Sequence, residues 1–308
     1  MKTVTVTLNP SVDVTLMLDG LDPDKANRVV SETSQAGGKG LNVAKVLVNL
    51  GIPAVAFGIA GSKNFDRYVS LSGMGMHAMR FQRTVGEVRE NITLRHGDNC
   101  IKINRSGSQF DEYAFNKMSE DLLSYLKAGD IAVISGSAPV GFDPHLLQYF
   151  CRELKMKGIK VVLDCEWLDR NILTSIEPYF IKPNIHEFKK LTKVATEEEA
   201  DLVEAMRDLE RNGVENILLS LGERGILALV EGKAYRVTVP GVEVRSTVGS
   251  GDSAVAGFTA GVVQGLSAEQ CLVLAAACGT ATATLEGSEL TDGYLAKQIA
   301  GDVVVTEL

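Results

Sequence analysis

The stretch that decides the fold is DIAVISGSAPVGFDPHLLQYFCRELKMKGIKVVLDCE, residues 130–166. It opens with the apolar run DIAVISGS, continues with apolar residues at helical spacing over 143–158, and ends with a second apolar run, KVVLDCE. Two near-continuous apolar strands separated by a helix that ends at a glycine are typical of a β-α-β unit with parallel strands. This stretch therefore predicts an α/β fold.

The same alternation continues in both directions along the chain of 308 residues. Further helices are predicted over 41–51 and 197–213, because each segment has apolar residues at helical spacing and a closing glycine. Further apolar runs are TVTVTLN, AVAFGIAG, YFIKPN and ENILLSLG. We therefore predict a mostly parallel central sheet that is covered by helices on both faces.

Two regions depart from this alternation of apolar strands and helices. They contain short segments in which apolar and polar residues alternate. Such alternation is typical of a sheet with one solvated face, and the segments are joined by Gly, Asp and Asn, which favour turns. We predict a small, discontinuous β-sheet lid formed by residues 11–36 and 80–108. The α/β core would then consist of residues 1–10, 37–79 and 109–308.

The charge, the apolar runs and the cysteines of the chain argue against several classes of function. The net charge of −8 argues against a nucleic-acid partner or an anionic membrane, because both require a basic surface. The chain has no apolar run of about 18 residues and no start typical of a signal peptide, so we expect a cytoplasmic protein. Its five cysteines include no CxxC pair, which indicates neither a disulfide framework nor a zinc ribbon.

The stretch RSTVGSGDSAVAGFTAG, residues 245–261, contains a glycine-rich turn that enters a small-residue helix. Gly249, Ser250 and Gly251 permit a tight turn, and the first turn of the helix presents unpaired N–H groups that bind an anion. The acid that follows, Asp252, can take a proton from a hydroxyl while these N–H groups hold the charge of a transferred group.

A second glycine-rich turn lies in AGGKGLNVAKVL, residues 36–47. Gly38 lets a ligand approach the backbone, Lys39 adds a positive charge, and Asn42 offers a donor and an acceptor to a sugar hydroxyl. We expect the two turns to face each other across one crevice, separated by the length of a triphosphate tail.

Neither turn fits a more common nucleotide motif. AGGKGLN fails the P-loop pattern because Thr33 stands where the first glycine belongs and Gly40 replaces the Ser or Thr that holds magnesium. GSGDSA matches the dinucleotide pattern, but its helix is followed by another helix, AEQCLVLAAACGTATATLEG, where that pattern requires a strand. These departures exclude a P-loop enzyme and a dehydrogenase.

Polar residues follow several of the predicted strands directly. In an open parallel α/β sheet, ligands bind outside the carboxyl ends of the strands, so such residues predict a binding cleft there. They are Asn9 and Asp13, Ser135 to Ser137, Asp164, Lys182 to Asn184, and Ser220 to Gly222.

The motifs GGKGLNVAKVLVNLG and STVGSGDSAVAG, with SGSAPVG, IKPNIHE and SLGERG in order between them, resemble those of the PfkB branch of the ribokinase-like carbohydrate kinases. The resemblance spans essentially the whole chain. The segments TLNPSVD and NRVVSETSQAGGKGLNVA are most similar to 1-phosphofructokinases and tagatose-6-phosphate kinases. The resemblance implies a three-layer αβα sandwich, ATP and Mg²⁺ as cofactors with K⁺ as a further candidate, and a homodimer formed through the lid.

Carried over position by position, the resemblance implies that Asp252 is the base and that Gly249, Ser250 and Gly251 form the anion hole for the transferred phosphoryl group. Asn184 and Glu187 would orient magnesium and phosphates, with Lys182 beside them. The remaining nucleotide contacts would be Ser220, Gly222, Gly225, Ala276 and Thr280. The sugar would be held by Asp13, Gly38, Lys39, Asn42 and Ser137.

One arginine in each of the two predicted lid segments indicates that the sugar substrate already carries a phosphate. Arg28 and Arg89 carry planar guanidinium groups, which suit a phosphate already present on the sugar. We therefore predict an ATP-dependent kinase that converts fructose 1-phosphate to fructose 1,6-bisphosphate. Tagatose-6-phosphate or fructose-6-phosphate kinase activity is the alternative, and a non-catalytic sugar-phosphate sensor is a more remote one. NRSGSQF replaces the EPGP-type segment of close relatives, which leaves the particular phosphosugar open.

Overall fold

The computed structural model describes residues 1–22, 24–97 and 99–308. These residues form two separate β-sheets and ten α-helices. The strands are β1 (Thr3–Thr7), β2 (Ser11–Leu18), β3 (Val29–Gly37), β4 (Ala54–Gly61), β5 (Met79–Thr84), β6 (Arg89–His96), β7 (Asn99–Asn104), β8 (Ile131–Ser135), β9 (Lys160–Asp164), β10 (Phe180–Ile181), β11 (Ile217–Ser220), β12 (Ile226–Val230), β13 (Lys233–Thr238) and β14 (Val304–Glu307). The helices are α1 (Lys39–Asn49), α2 (Phe65–Ser72), α3 (Glu112–Tyr125), α4 (Pro144–Met156), α5 (Arg170–Ile176), α6 (Ile185–Thr192), α7 (Glu199–Arg211), α8 (Ser250–Gln264), α9 (Ala268–Ala283) and α10 (Gly293–Ala300).

The large sheet has ten strands in the order β14-β13-β12-β11-β10-β9-β8-β1-β4-β5. The strands from β11 to β5 in this order run parallel, and β12, β13 and β14 are added antiparallel at one edge. Each of the six apolar runs identified in the sequence forms one of the parallel strands. The predicted α/β fold with a mostly parallel sheet is therefore confirmed.

The core lies in two layers, one on each face of the large sheet. Along β8, Ile131 and Val133 pack into one layer, and Ala132 and Ile134 pack into the other, because successive side chains of a strand point to opposite faces. The first layer is completed by α1, α2, α8 and α9, and the second by α3 to α7. This arrangement is the predicted three-layer sandwich.

The second sheet is the lid and has four strands in the order β3-β2-β6-β7. The two sequence segments meet where β2 pairs in parallel with β6, with Asp13 opposite Asn91. Residues 80–84 were assigned to the lid, and this was wrong, since β5 pairs with β4 in the large sheet. As an edge strand β5 has a partly exposed face, so its alternating pattern resembles that of a lid strand. The division of the chain into two domains stays a prediction.

Both glycine-rich turns lead directly into a helix. Gly38 is the N-cap of α1 with φ of 124°, and Gly249 is the N-cap of α8 with φ of 80°. Residues with a Cβ rarely adopt these positive φ values, which explains why glycine occupies both positions. The described residues contain no helix with the length and apolar character needed to cross a bilayer.

Candidate active site

A cavity of about 1160 Å³ lies along the carboxyl ends of the parallel strands. The last residues of β1, β8, β9 and β11 all line it. The sequence-predicted site residues that line this cavity are Asp13, Gly38, Lys39, Asn42, Arg89, Ser137, Lys182, Asn184, Glu187, Ser220, Gly222, Gly225, Gly249, Ser250, Gly251, Asp252, Ala276 and Thr280. The topology thus brings together residues from almost the whole length of the chain.

Arg28 is the exception, because it does not line this cavity. It lies at the turn between β2 and β3, where its backbone N–H donates to the carboxylate of Asp19 at 3.3 Å. The register pairs Val29, the next residue, with Leu18, which is five positions further along β2 than Asp13. At a rise of about 3.3 Å per residue, Arg28 lies roughly 16 Å beyond Asp13 along the lid.

Asp252 lies in the first turn of α8 and is only 5% exposed. Its Oδ2 accepts a hydrogen bond from Asn42 Nδ2 at 2.8 Å. Burial and, next, the negative charge of Asp164 raise the pKa of Asp252 to about 7, although the Asn42 hydrogen bond and the charges of Lys39 and Lys182 oppose this. A carboxylate with a pKa near neutrality is well suited to act as a general base.

A buried cation lies beside the N-terminus of α8. Lys182, 6% exposed, has its Nζ 3.6 Å from the carboxylate of Asp164, which is 4% exposed. A Cβ at Gly251 would lie only 3.0 Å from this Nζ, so the ammonium group lies against the first turn of the helix. The N–H groups of that turn and the ammonium group can bind one anion together.

Lys39 begins α1 and donates to Glu166 Oε1 at 2.9 Å. Burial lowers the pKa of Lys39, but the charge of Asp164, the contact with Glu166 and the charge of Asp252 together outweigh burial and raise it. Lys39 therefore remains protonated at neutral pH. Glu166 was not predicted as a site residue, although its position two residues after β9 was a usable signal.

The lid supplies the other end of the cavity. Asp13 Oδ1 accepts hydrogen bonds from Ser11 Oγ at 2.9 Å and from Asn91 Nδ2 at 2.8 Å. Arg89 Nη2 donates to Ser137 Oγ at 3.3 Å, which joins the lid to the loop after β8. Ser11 and Asn91 were not predicted. They share a face with Asp13 and Arg89, so the two-residue period of the lid strands was the signal that could have identified them.

Asn184 and Glu187 form a capping box at the start of α6. Asn184 Oδ1 accepts from the backbone N–H of Glu187 at 3.0 Å, and Glu187 Oε2 accepts from the backbone N–H of Asn184 at 2.9 Å. The capping bond to Glu187 involves only one carboxylate oxygen, Oε2, and both residues line the cavity. Among residues 1–22, 24–97 and 99–308, no group of three or more His, Cys, Asp or Glu is arranged to hold a metal. This donor set fits Mg²⁺ that is bound mainly by phosphate oxygens and water, with one carboxylate contact.

The remaining part of the cavity follows β11 and extends to α9. Ser220, Gly222 and Gly225 lie on the β11 side, and Ala276 and Thr280 lie on α9. The connection between β13 and α8 was not predicted to contribute, yet it lines the cavity with Val239 to Val242, Val244, Thr247 and Val248. These aliphatic and small side chains provide a largely apolar surface on which a flat base can pack.

The fold and this cavity define a small-molecule kinase of the ribokinase-like class, because a buried carboxylate lies at the N-terminus of a glycine-capped helix in a cavity that is also lined by the β-sheet lid. The chain belongs to the pfkB family of carbohydrate kinases, whose family model matches residues 6–292. It is therefore a phosphotransferase with an alcohol group as acceptor, in a family whose members use ATP.

Two kinds of relative support this membership. The chain is 33% identical over 279 residues to a tagatose-6-phosphate kinase of Staphylococcus epidermidis, with 90% of each chain covered. Among solved structures, phosphofructokinase-2 from Escherichia coli in complex with substrates and products has a TM-score of 0.89 and 25% identity, with 98% of this chain and 99% of that chain covered. That protein has also been solved in complex with potassium and as a tetrameric inhibited form. Arabidopsis thaliana ribokinase complexed with ribose and ATP shares the fold, with a TM-score of 0.76 and 19% identity over 97% of this chain and 98% of that chain.

Proposed function

We propose that this kinase transfers a phosphoryl group from ATP to a ketohexose that already carries one phosphate. The observation that carries the proposal is the position of Arg89, which lines the same cavity as Asp252 and contacts Ser137. A guanidinium group suits the existing phosphate, and Arg89 belongs to the lid, whereas the anion site belongs to α8 of the core. A free sugar carries no anionic group that could pair with this charge.

In the proposed reaction, Asp252 takes the proton from the acceptor hydroxyl. Asn42 occupies Oδ2 of this carboxylate, which leaves Oδ1 to accept the proton. The N–H groups of Ser250 and Gly251, with Lys182, hold the negative charge of the transferred group. Lys39 adds a permanent positive charge nearby. Mg²⁺ bound with the nucleotide would neutralise phosphate oxygens, with Glu187 as its protein contact.

Two phosphosugars are candidates for the acceptor substrate. Fructose 1-phosphate is favoured by the motifs TLNPSVD and NRVVSETSQAGGKGLNVA. A ketohexose 6-phosphate is favoured by the similarity to the tagatose-6-phosphate kinase. A coupled assay that compares fructose 1-phosphate, fructose 6-phosphate, tagatose 6-phosphate and the free sugars distinguishes them. Turnover of a free ketohexose as efficient as that of its phosphates would contradict the proposal.

We also propose that the chain forms a homodimer through the lid. Ile101 and Ile103 of β7 are each 46% exposed, and they pair with Leu94 and Ile92 of β6, so the four side chains share one face of the lid. Burying such a face against a second copy removes apolar surface from water. Light scattering at micromolar concentration should give twice the monomer mass, and replacing Ile103 with Lys should give a monomer. Potassium dependence, tested by replacing K⁺ with Na⁺ in the assay, is a further proposal.

A further inference from the structure

Two buried polar atoms at the lid end of the cavity have no hydrogen-bond partner among the described residues. They are Nε of Arg89 and Oδ1 of Asn91. Both residues line the cavity, and they lie two positions apart on β6, so their side chains leave the same face of the strand. A buried donor or acceptor without a partner costs about 1–3 kcal/mol. Among the described residues, these two atoms therefore have hydrogen-bonding capacity that no neighbour uses.

Asp13 determines which way the amide of Asn91 is turned. A carboxylate only accepts hydrogen bonds, so the atom of Asn91 that lies 2.8 Å from Asp13 Oδ1 must be the amide nitrogen. The unpaired atom is consequently a carbonyl-type oxygen, which only accepts. Ser11 donates to the same carboxylate oxygen at 2.9 Å, and its hydroxyl is not among the unpaired buried atoms. Ser11 and Asn91 thus both hold Asp13, but only Asn91 has a buried polar atom that takes part in no hydrogen bond.

The spacing of the two unpaired atoms suits a phosphosugar. Residues two apart on a strand are separated by about 6.6 Å, which is comparable to the distance between a phosphate on an exocyclic carbon of a furanose and a hydroxyl of its ring. Arg89 supplies donors for the phosphate, and Asn91 and Asp13 supply neighbouring acceptors for hydroxyl groups. The lid end of the cavity therefore offers donors where a phosphorylated ketohexose has its phosphate and acceptors where it has its hydroxyl groups.

We propose that Asn91 is a specificity-determining residue, whose amide oxygen accepts a hydrogen bond from one ring hydroxyl of the acceptor while Asp13 holds the adjacent one. The inference rests on the proposed phosphoketohexose kinase function. An epimer whose hydroxyl points the other way would leave the Asn91 oxygen buried and unpaired. A site built to bind a hydroxyl discriminates strongly against a substrate that cannot supply it.

The test compares acceptors that differ only in configuration at C3 or C4, with the phosphate on whichever carbon the wild-type enzyme prefers. The variants are Asn91→Leu, which removes the amide at similar volume, and Ser11→Ala, which removes the other hydrogen bond to Asp13. We expect the wild type to prefer one epimer by at least tenfold in kcat/KM. Asn91→Leu should reduce this preference by about tenfold or more, mainly through KM. Ser11→Ala should weaken all epimers alike and keep the preference.

The possible results distinguish a failure of the proposed kinase function from a failure of the proposed role of Asn91. A wild type that phosphorylates no ketohexose phosphate overturns the proposed function, and this inference with it. An active wild type without preference between the epimers, or equal shifts in both variants, overturns only the role of Asn91. Thermal unfolding verifies that each variant is folded, and Asn91→Ala replaces Asn91→Leu if the latter shows no cooperative transition.

Discussion

Asn42 Nδ2 donates a hydrogen bond of 2.8 Å to Asp252 Oδ2 and so joins two residues that are 210 positions apart in the chain. The contact connects the first turn of α1 to the first turn of α8. The sequence led us to expect the two glycine-rich turns to be separated by the length of a triphosphate tail, and this was wrong, since their side chains are in contact. The proposed general base is thus held by the same turn that supplies the proposed sugar contacts.

We predict that Asp252→Asn lowers kcat by about 10²- to 10⁴-fold, because general-base catalysis contributes about this much. The change in the KM of the acceptor should be modest, since Asn has nearly the same shape. Steady-state kinetics with the preferred acceptor measure both constants. Turnover within a few-fold of wild type would remove Asp252 from its proposed role.

We also predict that Asp252→Asn stabilises the fold at pH 8. Because the pKa of Asp252 is raised from 3.8 to about 7, the folded protein retains a proton between these pH values that the unfolded chain has lost. Stability therefore falls as the pH rises through this window, and the penalty, up to about 4 kcal/mol, is complete above pH 7. The variant should have a higher Tm than wild type at pH 8 and a similar Tm near pH 4.

The control for this measurement is Asp66→Asn, because the Asp66 side chain is 89% exposed. It should change the Tm little at either pH. If Asp252→Asn lowers the Tm at pH 8, burial of an ionised Asp252 is not a cost to the fold.

A third prediction concerns the acidic limb of the pH profile. Since the proposed base must be deprotonated, kcat/KM should fall with decreasing pH below an apparent pKa of about 7. The Asn42 hydrogen bond lowers the pKa of Asp252 and the Asp164 charge raises it. Asn42→Ala should therefore move the limb to higher pH, and Asp164→Asn should move it to lower pH. Shifts in the same direction in both variants would mean that another group controls the limb.

A fourth prediction tests the phosphate contact of the lid. Arg89→Ala should raise the KM of the phosphorylated acceptor about 10- to 150-fold, because a hydrogen bond to a charged group contributes about 1.5–3 kcal/mol. Arg95→Ala is the matched control, since Arg95 lies on the same face of β6 but does not line the cavity. Initial-rate kinetics should show an effect only in Arg89→Ala. Equal effects in both variants would indicate a general disturbance of the lid.

Much of the fold was predictable because the pattern that forms a strand or a helix is local. The β-α-β unit of residues 130–166 needed only apolar runs, helical spacing and a closing glycine. The edge strand β5 was assigned to the wrong sheet for the same reason, since local alternation indicates a half-exposed strand without indicating its neighbour. The antiparallel strands β12 to β14 at the opposite edge were not identified, although the run ILALVEGKAYRVTV contains a strand, a glycine turn and a second strand.

The residues of the candidate site could likewise be predicted only where a local sequence pattern marks them. Asp252 and Lys39 were recognisable because each lies in a glycine-rich turn before a helix. Glu166, by contrast, has a role in the site only because it lies 2.9 Å from Lys39, which is more than a hundred positions earlier in the chain. Arg28 had the right chemistry for a phosphate, but the register of β2 and β3 carries it to the far end of the hairpin.

The sequence by itself determined the alternation of strands and helices, the two glycine-rich turns that enter helices and the residue types available for phosphoryl transfer, because these depend on neighbours along the chain. Tertiary structure alone decided which polar side chains meet: Asp164 lies near Asp252, Glu166 contacts Lys39, and Asn91 donates to Asp13. The physical reason is that a pKa and an unpaired hydrogen-bonding atom depend on burial and on partners brought close by sheet register, and neither is encoded in the spacing of nearby residues.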